Sequence, residues 1–178
     1  MIVIVGAGPA GSYLGYLLAK QGKEVKIIEE HEKAGQPVQC TGIVTHSIKK
    51  FFRLEKEVIA KKLDKVVVIS KNRRIAVNVD EIVMWRDKFD QFVADIAQKE
   101  GAEIMLGHKF EGLDGNSLKI KDKKNSKTKV LKADIIIGAD GPYSAVARAA
   151  GLDFGIKNYI GMQAKVKVDM DTSSFETY

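Results

Sequence analysis

Met1-Ile2-Val3-Ile4-Val5-Gly6-Ala7-Gly8-Pro9-Ala10-Gly11 is the stretch on which the fold turns. Its first five residues are a short apolar run, the signature of a parallel strand buried on both faces. Three glycines follow with the spacing G-x-G-x-x-G. From Ser12 to Gln21 the apolar residues Tyr13, Leu14, Leu17 and Leu18 recur at helical spacing, and Gly22 ends the run. Glu24–Ile28 reads as the next strand. Strand, glycine turn, helix and strand fit within about thirty residues, the size of a βαβ crossover. Gly6 permits the tight turn, Gly8 lets the backbone approach a diphosphate, and Gly11 lets the helix pack closely on the sheet. Pro9 and Ala10 lie within this turn, and the N–H groups at the helix start, with the helix dipole, attract phosphate. Glu29 closes the second strand, where a carboxylate can accept hydrogen bonds from both ribose hydroxyls of a dinucleotide. Glu30 is the neighbouring candidate.

Outward from this unit, Glu30–Gly42 reads as a long loop with Gly35, Pro37 and Gly42, and Thr45–Phe52 as a short helix. Lys65–Ser70 and Arg74–Val79 read as a hairpin around Lys71–Arg73. Asp87–Gln98 is an amphipathic helix with Phe89, Phe92, Val93 and Ile96 on one face. Glu103–Leu106, Ser117–Lys121, Lys129–Lys132 and the apolar Ala133–Gly138 read as strands, the last of them buried. Ser144–Ala150 is a short helix, and Tyr159–Asp169 alternates as a long antiparallel strand. The expected class is α/β: a Rossmann-like dinucleotide-binding domain on a parallel sheet, with part of an antiparallel sheet of a second domain. The first domain is expected over 1–64 and 81–154, the second over 65–80 and 155–178.

Composition narrows the field. The 178 residues are 45% hydrophobic, enough for one good core, and carry a single cysteine, Cys40, which excludes an internal disulfide. No stretch is long and apolar enough to span a bilayer, and no basic segment precedes the first apolar run as in a signal peptide. A cytoplasmic protein is expected, with a peripheral membrane contact left open. The net charge of +6 is dispersed and reads as a solvated, lysine-rich surface. The densest basic run, Lys119–Lys132, has no interleaved aromatics, so no nucleic-acid partner is expected. No metal-ligand set is singled out.

Two further strings carry chemistry. Gly138-Ala-Asp-Gly-Pro-Tyr-Ser144 follows an apolar strand and precedes a helix. On its own it reads as an Asp–Gly turn. Beside the glycine motif it resembles the second motif of the p-hydroxybenzoate-hydroxylase-type flavoproteins. That resemblance gives Asp140 and Gly141 a part in shaping the cofactor site, with Ser144 and Arg148 following. It also places Arg86, before the long helix, in the cofactor cleft near the diphosphate or ribityl chain, and the backbone near Phe110 beside the adenine. Read without it, Arg86 is a surface arginine and Phe110 a core residue.

Gly35-Gln-Pro-Val-Gln-Cys-Thr-Gly42 resembles the G-x-P-V-x-C-G element of the geranylgeranyl reductase family, although Cys-Thr-Gly stands where many members have Cys-Gly-Glu-Gly. The resemblance implies FAD as cofactor and an isoprenoid or lipid substrate whose carbon–carbon double bonds are reduced. It implies an external electron donor, NAD(P)H or ferredoxin. It also draws Cys40, Thr41 and Gly42 toward the cofactor, with Cys40 the sole catalytic candidate, near the flavin. The alternative for Cys40 is a small thiol without chemistry. The late Gly-Asp motif of such flavoproteins does not occur, because the sequence has no Gly-Asp dipeptide. The expectation is therefore a truncated chain, inactive alone. The competing functions are a flavin monooxygenase of a small aromatic compound, sharing the glycine and Asp–Gly motifs, and a non-catalytic FAD-binding module.

Overall fold

The computed structural model describes residues 1–152, 155, 157, 159–164, 166, 167 and 174–178. The chain divides into two compact units, Met1–Val38 with Phe89–Tyr159, and Gln39–Lys88 with Ile160–Tyr178.

The first unit is built on a parallel sheet of β1 (Ile2–Val5), β2 (Val25–Ile28), β6 (Glu103–Met105) and β10 (Ile135–Gly138), in the order β10-β1-β2-β6. Central β1 pairs with β10 and β2 along its whole length. Both of its faces are covered, which explains its unbroken apolar run. On one face Ile4, Val25 and Ile27 pack in a cluster with Ala19 of α1 (Pro9–Lys20) and with Ala94 and Ala97 of α2 (Arg86–Lys99). On the other, Val3, Val5 and Ile28 meet Phe110, Leu118 and Ile120 of an antiparallel meander. Its strands are β7 (His108–Asp114), β8 (Ser117–Asp122) and β9 (Thr128–Lys132). Val146 of α3 (Ala145–Ala149) joins the same cluster.

Several sequence expectations are corrected. The buried residues of α1 are Gly11, Ser12, Gly15 and Ala19, while Leu17 is exposed. The helix lies so close to the sheet that a Cβ at Gly15 would stand 2.5 Å from Ile27 Cδ1. In α2 the buried set is Phe89, Asp90, Val93, Ala94 and Ala97; Phe92 and Ile96 are only half-buried. β10 is an edge strand rather than a buried one, with Ile135 53% exposed. β7 is an addition: a register shift between Phe110 and Gly112 breaks the two-residue alternation by which a strand is read.

The second unit holds a sheet of β3 (Ile43–Thr45), β4 (Ile59–Ser70), β5 (Arg73–Met84) and β11 (Ser174–Thr177), in the order β11-β4-β5-β3. The β4–β5 hairpin extends well beyond the segments read from the sequence and turns at Lys71 and Asn72. His46–Lys50 is a 3-10 helix. The strand expected over 159–169 lies partly outside the described residues, and those described within it carry no strand.

Candidate functional site

The site starts from the geometry of the glycine turn. Gly6 has φ +103°, a value that side-chain-bearing residues rarely adopt. A Cβ on Gly6 would run into the Ala139 carbonyl and stand 3.0 Å from Asp140 Cα, so the turn lies directly on the end of β10. A Cβ on Gly11 would collide with the Gly6 carbonyl oxygen. Gly8 differs. Its φ is −67°, open to any residue, and a Cβ there would meet nothing within 4 Å. Gly6 and Gly11 therefore serve the fold, while Gly8 keeps a space clear at the head of α1.

That space faces a helix start with unused donors. An α-helix leaves its first N–H groups without internal partners. The first helical bond here runs from Ser12 N–H to the Gly8 carbonyl, 2.9 Å. Among the described residues no side chain caps α1; Pro9 stands in its first turn, which contains no acidic residue to oppose an anion. Open space, uncapped N–H groups and the positive end of the helix dipole suit a diphosphate.

Glu29 completes the arrangement. It is 9% exposed, and its Oε2 accepts a hydrogen bond from Ala7 N–H at 2.8 Å, inside the glycine turn. Its Oε1 accepts from His31 N–H at 2.9 Å and lies 2.7 Å from His31 Nδ1. Because a carboxylate only accepts, Nδ1 carries the proton in this pair. Main-chain bonds from Glu29 N–H to Met105 O, from His108 N–H to Glu29 O and from Gly107 N–H to His31 O fix the segment to the end of β6 and the start of β7. His31 escaped the sequence reading. Its one signal was a titratable side chain two positions after the strand-ending acid. Glu30 is exposed.

Asp140 lies one residue beyond Ala139 and is engaged locally. Its Oδ1 accepts from Ser144 Oγ at 2.6 Å, and its Oδ2 from the N–H groups of Ala145 and Val146 at 2.6 and 3.1 Å. Ser144 Oγ in turn accepts from Ala147 N–H at 2.9 Å. Together they cap α3 and hold the turn against Gly6. Gly141 is exposed at φ +83°. The Phe110 side chain, 7% exposed, belongs to the core cluster with Val3 and Val5.

The remaining candidates lie in the second unit. Cys40 is a free, exposed thiol on a loop, and its Sγ accepts from Gly42 N–H at 3.4 Å. Thr41 is exposed. Gly42 is buried at φ +81°, where a Cβ would strike the Met84 carbonyl oxygen. Arg86, half-buried, is the first residue of α2.

The family described as FAD binding domain matches residues 1–177. Digeranylgeranylglycerophospholipid reductase 1 of Methanococcoides burtonii is 29% identical over 99% of this chain and 47% of its own length. An uncharacterized protein in the nifH2 5' region of Methanosarcina barkeri is 32% identical over 85% of this chain and 87% of its own length. Among solved structures, a geranylgeranyl bacteriochlorophyll reductase-like protein from Thermoplasma acidophilum superposes with a TM-score of 0.84. It is 25% identical, and the match covers 98% of this chain and 49% of that one. The chain thus spans about half the length of the reductase and of the solved structure it matches.

Proposed function

The chain belongs to the FAD binding domain family, and on that premise we propose that it is the nucleotide-holding part of a reductase that saturates isoprenoid carbon–carbon double bonds in lipid precursors. One observation carries the cofactor half of this reading: Glu29 Oε2 bonded to Ala7 N–H. That bond sets a buried carboxylate for a ribose beside an open, uncapped helix start for a diphosphate. FAD offers both groups in that sequence, whereas FMN has neither a diphosphate nor a ribose. Gly8, with Pro9 and Ala10 at the head of α1, would hold the diphosphate on a turn that Gly6 and Gly11 shape, and Glu29 would hold the adenosine ribose.

The substrate half is supported by the names of the relatives and by the Cys40 loop. Bound FAD supplies hydride chemistry; the chain's own residues bind and orient it. In this reading Cys40, Thr41, Gly42, Arg86 and Gly141 are further cofactor neighbours, carried by the resemblance. NAD(P)H or a ferredoxin supplies the electrons. The protein is cytoplasmic and meets the membrane peripherally, through its lipid substrate; among the described residues no helix is long and apolar enough to cross a membrane.

Calorimetric titration with ADP, FAD and FMN tests the cradle. ADP and FAD should bind, and FMN should bind far more weakly; FMN binding as tightly as FAD overturns it. Mass spectrometry of a geranylgeranyl lipid incubated with the protein, FAD and a strong reductant tests the reaction. Hydrogen added across its double bonds is the expected result for a protein of the relatives' full length, and an unchanged lipid for this chain alone. An intact lipid, with oxygen consumed and an aromatic compound hydroxylated instead, would assign a monooxygenase.

A further inference from the structure

Glu29 is already heavily engaged. A carboxylate has about four lone-pair directions, two on each oxygen. Oε1 receives both the main-chain N–H and the imidazole Nδ1–H of His31, at 2.9 and 2.7 Å. Oε2 receives Ala7 N–H at 2.8 Å. Among the described residues, the protein therefore fills Oε1 and half of Oε2, which leaves one acceptor direction open. The arrangement is firmly held. Gly107 N–H binds the His31 carbonyl at 3.0 Å, and His108 N–H binds the Glu29 carbonyl at 2.8 Å. Glu29 itself is 9% exposed, so its carboxylate has little freedom to turn.

We infer that His31 is a specificity-determining residue of the nucleotide site: by saturating Glu29 Oε1 it leaves Oε2 to read one ribose hydroxyl, where the motif alone suggests two. This rests on the reading of Glu29 as the ribose partner. The imidazole acts through Glu29 as a hydrogen-bond donor, so a side chain with a donor in the position of Nδ1 should substitute for it. Asparagine has such a donor in its amide; alanine has none. Loss of the ring frees one direction on Oε1, and the second hydroxyl can then bind there.

The test compares ADP with 2'-deoxy-ADP and 3'-deoxy-ADP by calorimetry on the whole chain. In the unmodified protein one deoxy analogue should bind as ADP does and the other about tenfold more weakly, the scale of one hydrogen bond to a charged group. In His31→Ala both analogues should bind more weakly than ADP. In His31→Asn the one-hydroxyl pattern should return, an outcome that general loosening of the fold would not produce. If both deoxy analogues already lose affinity in the unmodified protein, or if His31→Ala keeps the original pattern, the inference is overturned. The underlying reading fails in a different way: neither analogue loses affinity, and Glu29→Gln binds ADP as well as the unmodified protein does.

Discussion

Ala7 N–H donates to Glu29 Oε2 across 2.8 Å, joining the turn after β1 to the end of β2. The same carboxylate thus orders the glycine turn and, in the proposed reading, is the acceptor for a ribose. Glu29→Gln removes the charge and places an amide donor where only acceptors are wanted. ADP affinity should fall by about 1–2 kcal/mol, the scale of a charge-assisted hydrogen bond. Calorimetry measures the loss. Unchanged affinity would transfer the ribose to Glu30 or another group.

Asp122 gives the fold a pH response. The Lys124 N–H, 2.9 Å from its Oδ1, holds its carboxyl below the ordinary 3.8; burial opposes the shift, and the Asn125 contact and the charges of His108 and Lys129 assist it. The unfolded chain then binds the proton more readily than the folded one. The contribution to stability is present above the ordinary aspartate value and is lost as pH falls through the lower, folded value. Asp122→Asn should flatten this part of the acid limb. Urea midpoints of both proteins across the acid range check it; identical slopes would show that the turn is not coupled to protonation.

Much of the first unit was legible because its signals are local. An apolar run, a glycine spacing and an acid at the next strand end lie within one βαβ unit; β1, β2 and Glu29 fall where they indicate, while α1 begins at Pro9, ahead of the Ser12–Gln21 spacing. What escaped depends on contacts distant in sequence. The face of α1 is set by how near Ile27 stands to Gly15, so the small residues face inward and Leu17 outward. Strand β7 was hidden by its bulge, which puts Phe110 and Leu113 out of alternation. His31 became a site residue only because its ring folds back on the acid two positions before it. Gly42, proposed as part of a cofactor loop, has a further task that local spacing does not show. Its positive φ and its closeness to the Met84 carbonyl give it a structural task in its own unit.

Asp140 should prove important to stability. Its carboxylate accepts from two N–H groups at the start of α3 and from Ser144 Oγ. Asp140→Ala removes that cap and should cost about 1–2 kcal/mol, the usual range for loss of an N-terminal cap. Chemical denaturation measures it. Stability within a few tenths of a kcal/mol of the unmodified protein would show that Ser144, which accepts from Ala147 N–H, caps the helix unaided.

The three glycines of the first turn should separate into two classes. Gly11→Val forces a side chain into the Gly6 carbonyl, and Gly6→Val adds a forbidden φ to a collision with Ala139. Neither neighbour is a flexible side-chain end, so relief requires moving α1 or β10. Both variants should lose several kcal/mol, as overpacked or strained positions do, and thermal melting should show it. At Gly8 a Cβ would meet nothing within 4 Å, and the φ is an ordinary −67°. The melting temperature of Gly8→Val should stay close to that of the unmodified protein, while ADP and FAD binding should be lost because the valine stands where the diphosphate approaches the N–H groups of α1. A folded Gly8→Val that still binds ADP tightly would mean that the diphosphate does not lie at this helix start.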